Sequence, residues 1–176
     1  MRKHNGMRPQ DIVVLLKIIC LEQQSWQFKD LAYHLALSPA EISESLNRSH
    51  LAGLVDATKR KVHRLSLFEF ICYGLQYVFP QMPGPMVNGV PTAHAHPYFE
   101  KHFHAEFKYI WPLPEGRARG LSIEPLYSAL PKIAEQDEKL YLLLACIDIV
   151  RVGRIREIKM ATNVLKQKLL IRESSE

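Results

Sequence analysis

Apolar positions recur at helical spacing from the start of the chain. Over Pro9–Glu22, Ile12, Leu15, Leu16, Ile19 and Cys20 form one stripe, while Pro9 and Asp11 suit a first helical turn. Between Ser25 and Val55 the pattern predicts two short helices joined by a tight turn. Phe28, Leu31, Ala32 and Leu35 share the buried face of the first, at spacings of three, one and three. Ser38-Pro39-Ala40-Glu41 opens the second: the serine hydroxyl caps, proline needs no backbone donor there, and the glutamate reaches back as in a capping box. Ile42, Leu46 and Ser49 line its inner side, and Gly53 marks its end. With those residues inward, Ala40, Ser43, Glu44, Asn47 and, at the edge, Arg48 turn outward.

Beyond Gly53, Leu54-Val55 and Val62–Leu65 predict two short strands around a basic tip, Thr58–Lys61. Ser66-Leu67-Phe68-Glu69 repeats the capping signature and predicts a helix through Tyr77, with Phe68, Ile71, Cys72, Leu75 and Phe79 buried and Pro80 ending it. From Pro80 to Pro97 the composition changes: five of the eleven prolines and two of the eight glycines fall here, which predicts a long ordered loop. Alternation over Tyr98–Trp111 predicts one or two strands anchored by Phe103, Phe107, Tyr109 and Trp111. Pro112, Pro114, Gly116 and Gly120 then break the pattern, and Gly116-Arg117-Ala118-Arg119-Gly120 reads as a loop. Two helices follow. Pro131–Val152 carries Ile133, Leu140, Leu143, Leu144, Ile147 and Val150, with Gly153 as a stop. Arg154–Ile171 carries Ile155, Ile158, Thr162, Leu165 and Leu169 near a three-four repeat that suits packing inside its own subunit or, the preferred reading, dimerisation.

Composition narrows the class. At 176 residues with 47% hydrophobic content, the chain is expected to hold one sizeable domain or two small ones. Net charge is +5 and the pI about 9.1, a mild excess that suits a phosphate-rich partner. It sits mainly toward the N-terminus. Residues 1–80 hold ten Lys/Arg against seven Asp/Glu, and residues 121–176 nine against eight. Three scattered cysteines, Cys20, Cys72 and Cys146, read as buried, reduced thiols in a cytoplasmic protein. No apolar run has the length of a membrane span, so no membrane partner is expected.

Leu31-Ala32, Leu37, Ser38-Pro39, Ile42, Leu46 and Gly53-Leu54-Val55 carry a resemblance. The stretch resembles the helix-turn-helix of bacterial winged-helix regulators, the MarR-like group in particular, over roughly the first 65 to 80 of the 176 residues. The resemblance implies a mainly α chain. Its N-terminal part would be a winged helix-turn-helix with a short β wing (1–79); the composition and periodicity of the rest add a proline-rich connecting segment with little β (80–122) and a C-terminal helical pair (123–176). It also implies a sequence-specific transcriptional regulator, a repressor, binding double-stranded DNA as a homodimer. Ala40, Ser43, Glu44, Asn47 and Arg48 would then face the major groove. Asn47 would pair with adenine, Arg48 with guanine or phosphate, and Ser43 with either. Ser38 would help hold a phosphate, and Lys59, Arg60, Lys61 and Arg64 would supply sequence-independent attraction. Two residues depart from the pattern. Ser49 stands at the usual leucine, and Leu51 stands where a polar residue is usual, so it would contact the proline-rich loop or another subunit.

Two other readings compete. A winged helix can serve as an antitoxin or adaptor, with the proline-rich loop and C-terminal helices holding a protein partner. Alternatively, His94-Ala95-His96 and His102-Phe103-His104, six residues apart, would each chelate a metal if they lay on strands, with Glu100 and Glu106 nearby. No HExxH motif, phosphate loop, nucleophile elbow or dinucleotide fingerprint accompanies them. The expectation is therefore no enzyme, no cofactor and no metal.

Overall fold

The computed structural model describes residues 5–22 and 24–171. Contacts divide the chain into two compact units, Met1–Leu67 and Phe68–Glu176, so residues 80–122 belong to the body of the second. Helices dominate, joined by one small three-stranded sheet.

In the first unit, α1 (Pro9–Leu21) is buried continuously from Asp11 to Ile19, wider than the single stripe its periodicity predicts. Cys20, expected to be buried, is only half-buried where the helix nears its end. α2 (Phe28–Leu35) begins where the Asp30 carboxylate accepts the Gln27 amide at 2.7 Å. It buries Leu31, Ala32 and Leu35. Ala36 ends it in the left-handed region (φ 49°), and three residues later α3 (Pro39–Leu51) starts. Its capping box is formed in full: Ser38 Oγ accepts the Glu41 amide at 3.1 Å, and the Glu41 carboxylate accepts the Ser38 amide at 2.9 Å. Those bonds hold the Glu41 carboxyl below its ordinary range. Ile42, Ser45, Leu46 and Ser49 face inward, and Gly53 reverses the chain at φ 75°, where any side chain would be strained.

The predicted two-stranded hairpin is reduced to a single antiparallel bridge, Val55 to Val62. The Asp56 carboxylate explains the brevity. It accepts the amides of Arg60 and Lys61, each at 3.0 Å, and the Thr58 hydroxyl at 2.7 Å, closing the turn within a few residues. Lys59 occupies the left-handed region there (φ 59°).

The division between units falls inside α4 (Arg64–Tyr73). This helix starts two residues before the predicted Ser66 cap and stops at Tyr73. Gly74 separates it from the short α5 (Leu75–Val78), and Cys72 and Phe79 are only half-buried. In the second unit, β1 (Met86–Thr92) runs through the proline-rich stretch expected to be a loop. Its first half pairs with β3 (Ala118–Ser122) and its second with β2 (Tyr109–Pro112), while β2 and β3 also pair, so the three strands close on themselves. Pro91 is tolerated because only β2 borders β1 at that position. Closure needs bare backbone: a Cβ on Gly89 would lie 1.8 Å from the Trp111 carbonyl oxygen. Arg119, expected in a loop, lies on β3 and donates to Asn88 at 3.3 Å.

Between β1 and β2 the chain is mostly not strand. Ala93–Ala95 forms a 3-10 turn and Pro97–Glu100 the short α6, which corrects the strands expected over Tyr98–Trp111 everywhere except Tyr109–Pro112. After α7 (Leu130–Ala134), α8 (Glu138–Val152) is buried along nearly its whole length and carries Asp148 inside. Asp148 Oδ2 accepts from Thr92 Oγ1 and Trp111 Nε1, each at 2.7 Å, and Oδ1 pairs with Arg151 at 3.0 Å. Burial pushes this carboxyl up, against the opposing pull of Arg151 and the two hydrogen-bond donors. Arg151 also donates to the Phe79 carbonyl at 3.0 Å and to Gln81 Oε1 at 3.4 Å, tying the start of the proline-rich stretch to α8. α9 (Ile155–Leu170) buries Glu157, Ala161, Val164, Leu165 and Leu169, whereas Ile155, expected on the apolar stripe, is exposed.

Candidate functional site

The predicted outward face of α3 forms in part. Ala40, Glu44 and Asn47 are exposed and Ser43 is half-buried. Arg48 is a correction. It is only 8% exposed, and its Nε and Nη2 donate to Oδ2 and Oδ1 of the fully buried Asp11 at 2.8 and 2.6 Å. A guanidinium locked into this fork cannot also reach a base edge, so Arg48 leaves the exposed set. The Asp11 hydrogen bonds raise the Arg48 pKa further. Asp11 Oδ2 also accepts the Arg8 amide at 2.8 Å, so one carboxylate starts α1 and anchors α3 to it.

The basic hairpin lies against the open face of α3. Lys59 Nζ donates to Asn47 Oδ1, which brings a cation beside the amide. Arg60 is held elsewhere: its guanidinium stacks 4.3 Å over the Trp26 ring, and Nη1 donates to the Trp26 carbonyl at 2.6 Å. The Trp26 ring in turn stacks on Phe28 at 6.3 Å. Lys61 is exposed, and Arg64 is half-buried in the first turn of α4. Ser38 is exposed, with its hydroxyl oxygen occupied as the cap of α3. Leu51, expected against the proline-rich loop or another subunit, is 67% exposed.

Two organising residues escape a reading of the sequence for contacts. Asp56 builds the hairpin, and the hydrogen bonds it accepts from the Lys61 amide and the Thr58 hydroxyl, the strongest among several, lower its carboxyl to about 2. Asp56-Ala57-Thr58 carries a turn signal that would have found it. Trp26 holds Arg60 across 34 positions of sequence, and no local signal marks that pairing.

The histidine pairs are separated in setting. His94 Nε2 donates to the Phe107 carbonyl at 2.9 Å. His96 Nδ1 accepts the Tyr98 amide at 3.1 Å, and its ring packs against Tyr141 at 4.2 Å. Burial lowers His96 to about 4. His102 and His104 lie outside strands, in an exposed stretch after α6. Among the described residues, no three His, Cys, Asp or Glu side chains gather as a metal-holding group. Among the same residues, no helix is long and apolar enough to cross a membrane. Comparison with known proteins finds no matching family model, no matching curated protein and no matching solved structure.

Proposed function

We propose that the N-terminal part of this chain is a winged helix-turn-helix of the kind used by MarR-like regulators. In this reading the protein binds double-stranded DNA as a homodimeric transcriptional regulator, most simply a repressor. The observation that carries this is the exposed face of α3 with the Lys59 ammonium fastened onto Asn47. α3 would enter the major groove with Ala40, Ser43, Glu44 and Asn47 toward base edges. Lys61, Arg60 and Arg64 would lie toward the phosphates. Arg48 supports the reading indirectly, by fixing α3 on α1 so that the exposed face keeps its angle.

Selection from a random pool of DNA duplexes, followed by mobility shift of the recovered sequences, tests it. Enrichment of a recurring motif, with binding that weakens steeply as salt rises, is the expected outcome. The absence of any shift at low salt would end it.

A second reading has its own support. Tyr33 on α2 and Leu51 at the end of α3 are 84% and 67% exposed, an apolar pair better suited to a protein partner than to phosphate. An antitoxin or adaptor would use them. A partner that copurifies in fixed ratio and is lost in Tyr33→Ser/Leu51→Ser would favour this role over, or beside, DNA binding.

A further inference from the structure

We propose that Asn47 and Lys59 act as one donor-only reader and select guanine, so that the base pair facing Asn47 in the operator is G·C. The inference rests on the DNA-binding reading above and supplies its sequence class.

An asparagine amide offers one acceptor and one donor group, and its adenine pairing uses both: the oxygen accepts from adenine N6 while the nitrogen donates to N7. An ammonium has donors only. The atom of Asn47 that meets Lys59 Nζ must therefore be Oδ1, and this fixes the amide with Nδ2 away from the lysine. The second lone pair of Oδ1 lies beside a full positive charge and its remaining N–H groups, so an approaching adenine amino group meets donors where it needs an acceptor. Guanine presents two acceptors on its major-groove edge, N7 and O6, and takes Nδ2 and the ammonium together.

The arrangement is built rather than incidental. Lys59 sits at φ 59° at the tip of the hairpin, with its amide bonded to the Asp56 carbonyl at 2.9 Å. The Asp56 carboxylate holds the next two amides, Arg60 and Lys61. Arg60 pins the same tip to Trp26. The lysine stem is thus delivered to Asn47 from a fixed backbone.

The test is duplex selection with the full chain in four forms: wild type, Asn47→Ala, Asn47→Asp and Lys59→Met. Asn47 is exposed and Lys59 lies at the hairpin tip, so circular dichroism is expected to match wild type in each variant. The position read by Asn47 is the one whose preference, roughly tenfold or more in wild type, disappears in Asn47→Ala. Guanine is expected there. Asn47→Asp keeps an acceptor for Lys59 but turns the outward atom from donor to acceptor, so it should switch that position to cytosine. Lys59→Met frees the amide to rotate and should admit adenine. Adenine or thymine at that position in wild type, or a Lys59→Met motif identical to wild type, would overturn the inference while leaving DNA binding intact. No enrichment by any form at low salt would instead sink the regulator reading, and this inference with it.

Discussion

At the scale of single residues, the Asp11–Arg48 fork is the contact with the most at stake. Asp11 is fully buried and accepts three hydrogen bonds, two from Arg48 and one from the Arg8 amide. Deleting one partner of such a pair strands the other charge out of water, at a cost of about 3–5 kcal/mol. Arg48→Ala is therefore expected to lower the urea midpoint sharply, while Asn47→Ala, one position away but exposed, should change stability by less than about 0.5 kcal/mol. Equal midpoints for the two variants would refute the assignment. Helix geometry explains why the sequence left Arg48 undecided. It lies about 120° from Ile42 around the helix axis, at the margin of the buried face, where a long side chain can turn either way. Its direction is set by a carboxylate 37 positions earlier, which no local pattern reveals. Asp56 has a different consequence. Its carboxyl is held at about 2 in the folded hairpin against an ordinary 3.8, so its contribution is complete above pH 4 and fades as pH falls toward 2. The protection of the Arg60 and Lys61 amides, taken as their exchange relative to the intrinsic rate at each pH, should fall from pH 5 to pH 2. Asp56→Asn should remove most of the change, and a flat profile in wild type would contradict the role given to Asp56.

Elements set by local chemistry were legible, and elements set by distant partners were not. Helices α1, α2, α3, α8 and α9 follow from 3.6-residue periodicity and from caps such as Ser38 with Glu41, and their observed bounds lie within a few residues of the expected ones, save for α8, whose expected range also took in α7. The three strands were missed, apart from the Tyr109–Pro112 end of the predicted alternation. β1 carries Pro91 and Gly89, which in a local reading count against a strand. They are admitted because β1 changes partner along its length and because Gly89 lets two backbones touch. The alternation of Tyr98–Trp111 misled for the converse reason. Its aromatic residues serve a helical turn and loop, with Phe99 fully buried from α6. What holds this part together is the buried carboxylate of Asp148, which links β1 through Thr92, β2 through Trp111 and the following turn of α8 through Arg151. Trp111→Phe and Thr92→Val each remove one donor to the same oxygen, and each should cost about 1–3 kcal/mol in guanidinium unfolding. Because both donors serve Oδ2, the double variant should depart from the sum of the two by more than about 0.5 kcal/mol. Strict additivity would mean that the two bonds are independent.

At the scale of the whole chain, charge is the property the sequence displays most openly and the one least able to name a partner by itself. The excess of +3 over residues 1–80 counts every Lys and Arg alike. In the folded chain these cations have diverged: Arg48 neutralises Asp11, Arg60 stacks on Trp26, Lys59 is held by Asn47, and Lys61 stands exposed. If the chain binds duplex DNA as proposed, these four cations should separate in the salt dependence of affinity. Each phosphate contact contributes about 0.9 to the slope of log affinity against log salt. Lys61→Ala is expected to flatten the slope by about that amount per protomer without altering the selected motif, because a phosphate contact carries no base information. Asn47→Ala should do the reverse, changing the motif and leaving the slope in place. Arg48→Ala should follow neither pattern: its binding should fall in proportion to the unfolded fraction and recover on cooling or in a stabilising osmolyte. Mobility shifts at four or five salt concentrations would separate these outcomes. A Lys61→Ala slope equal to wild type would remove the hairpin from the DNA interface and leave α3 to bind without it.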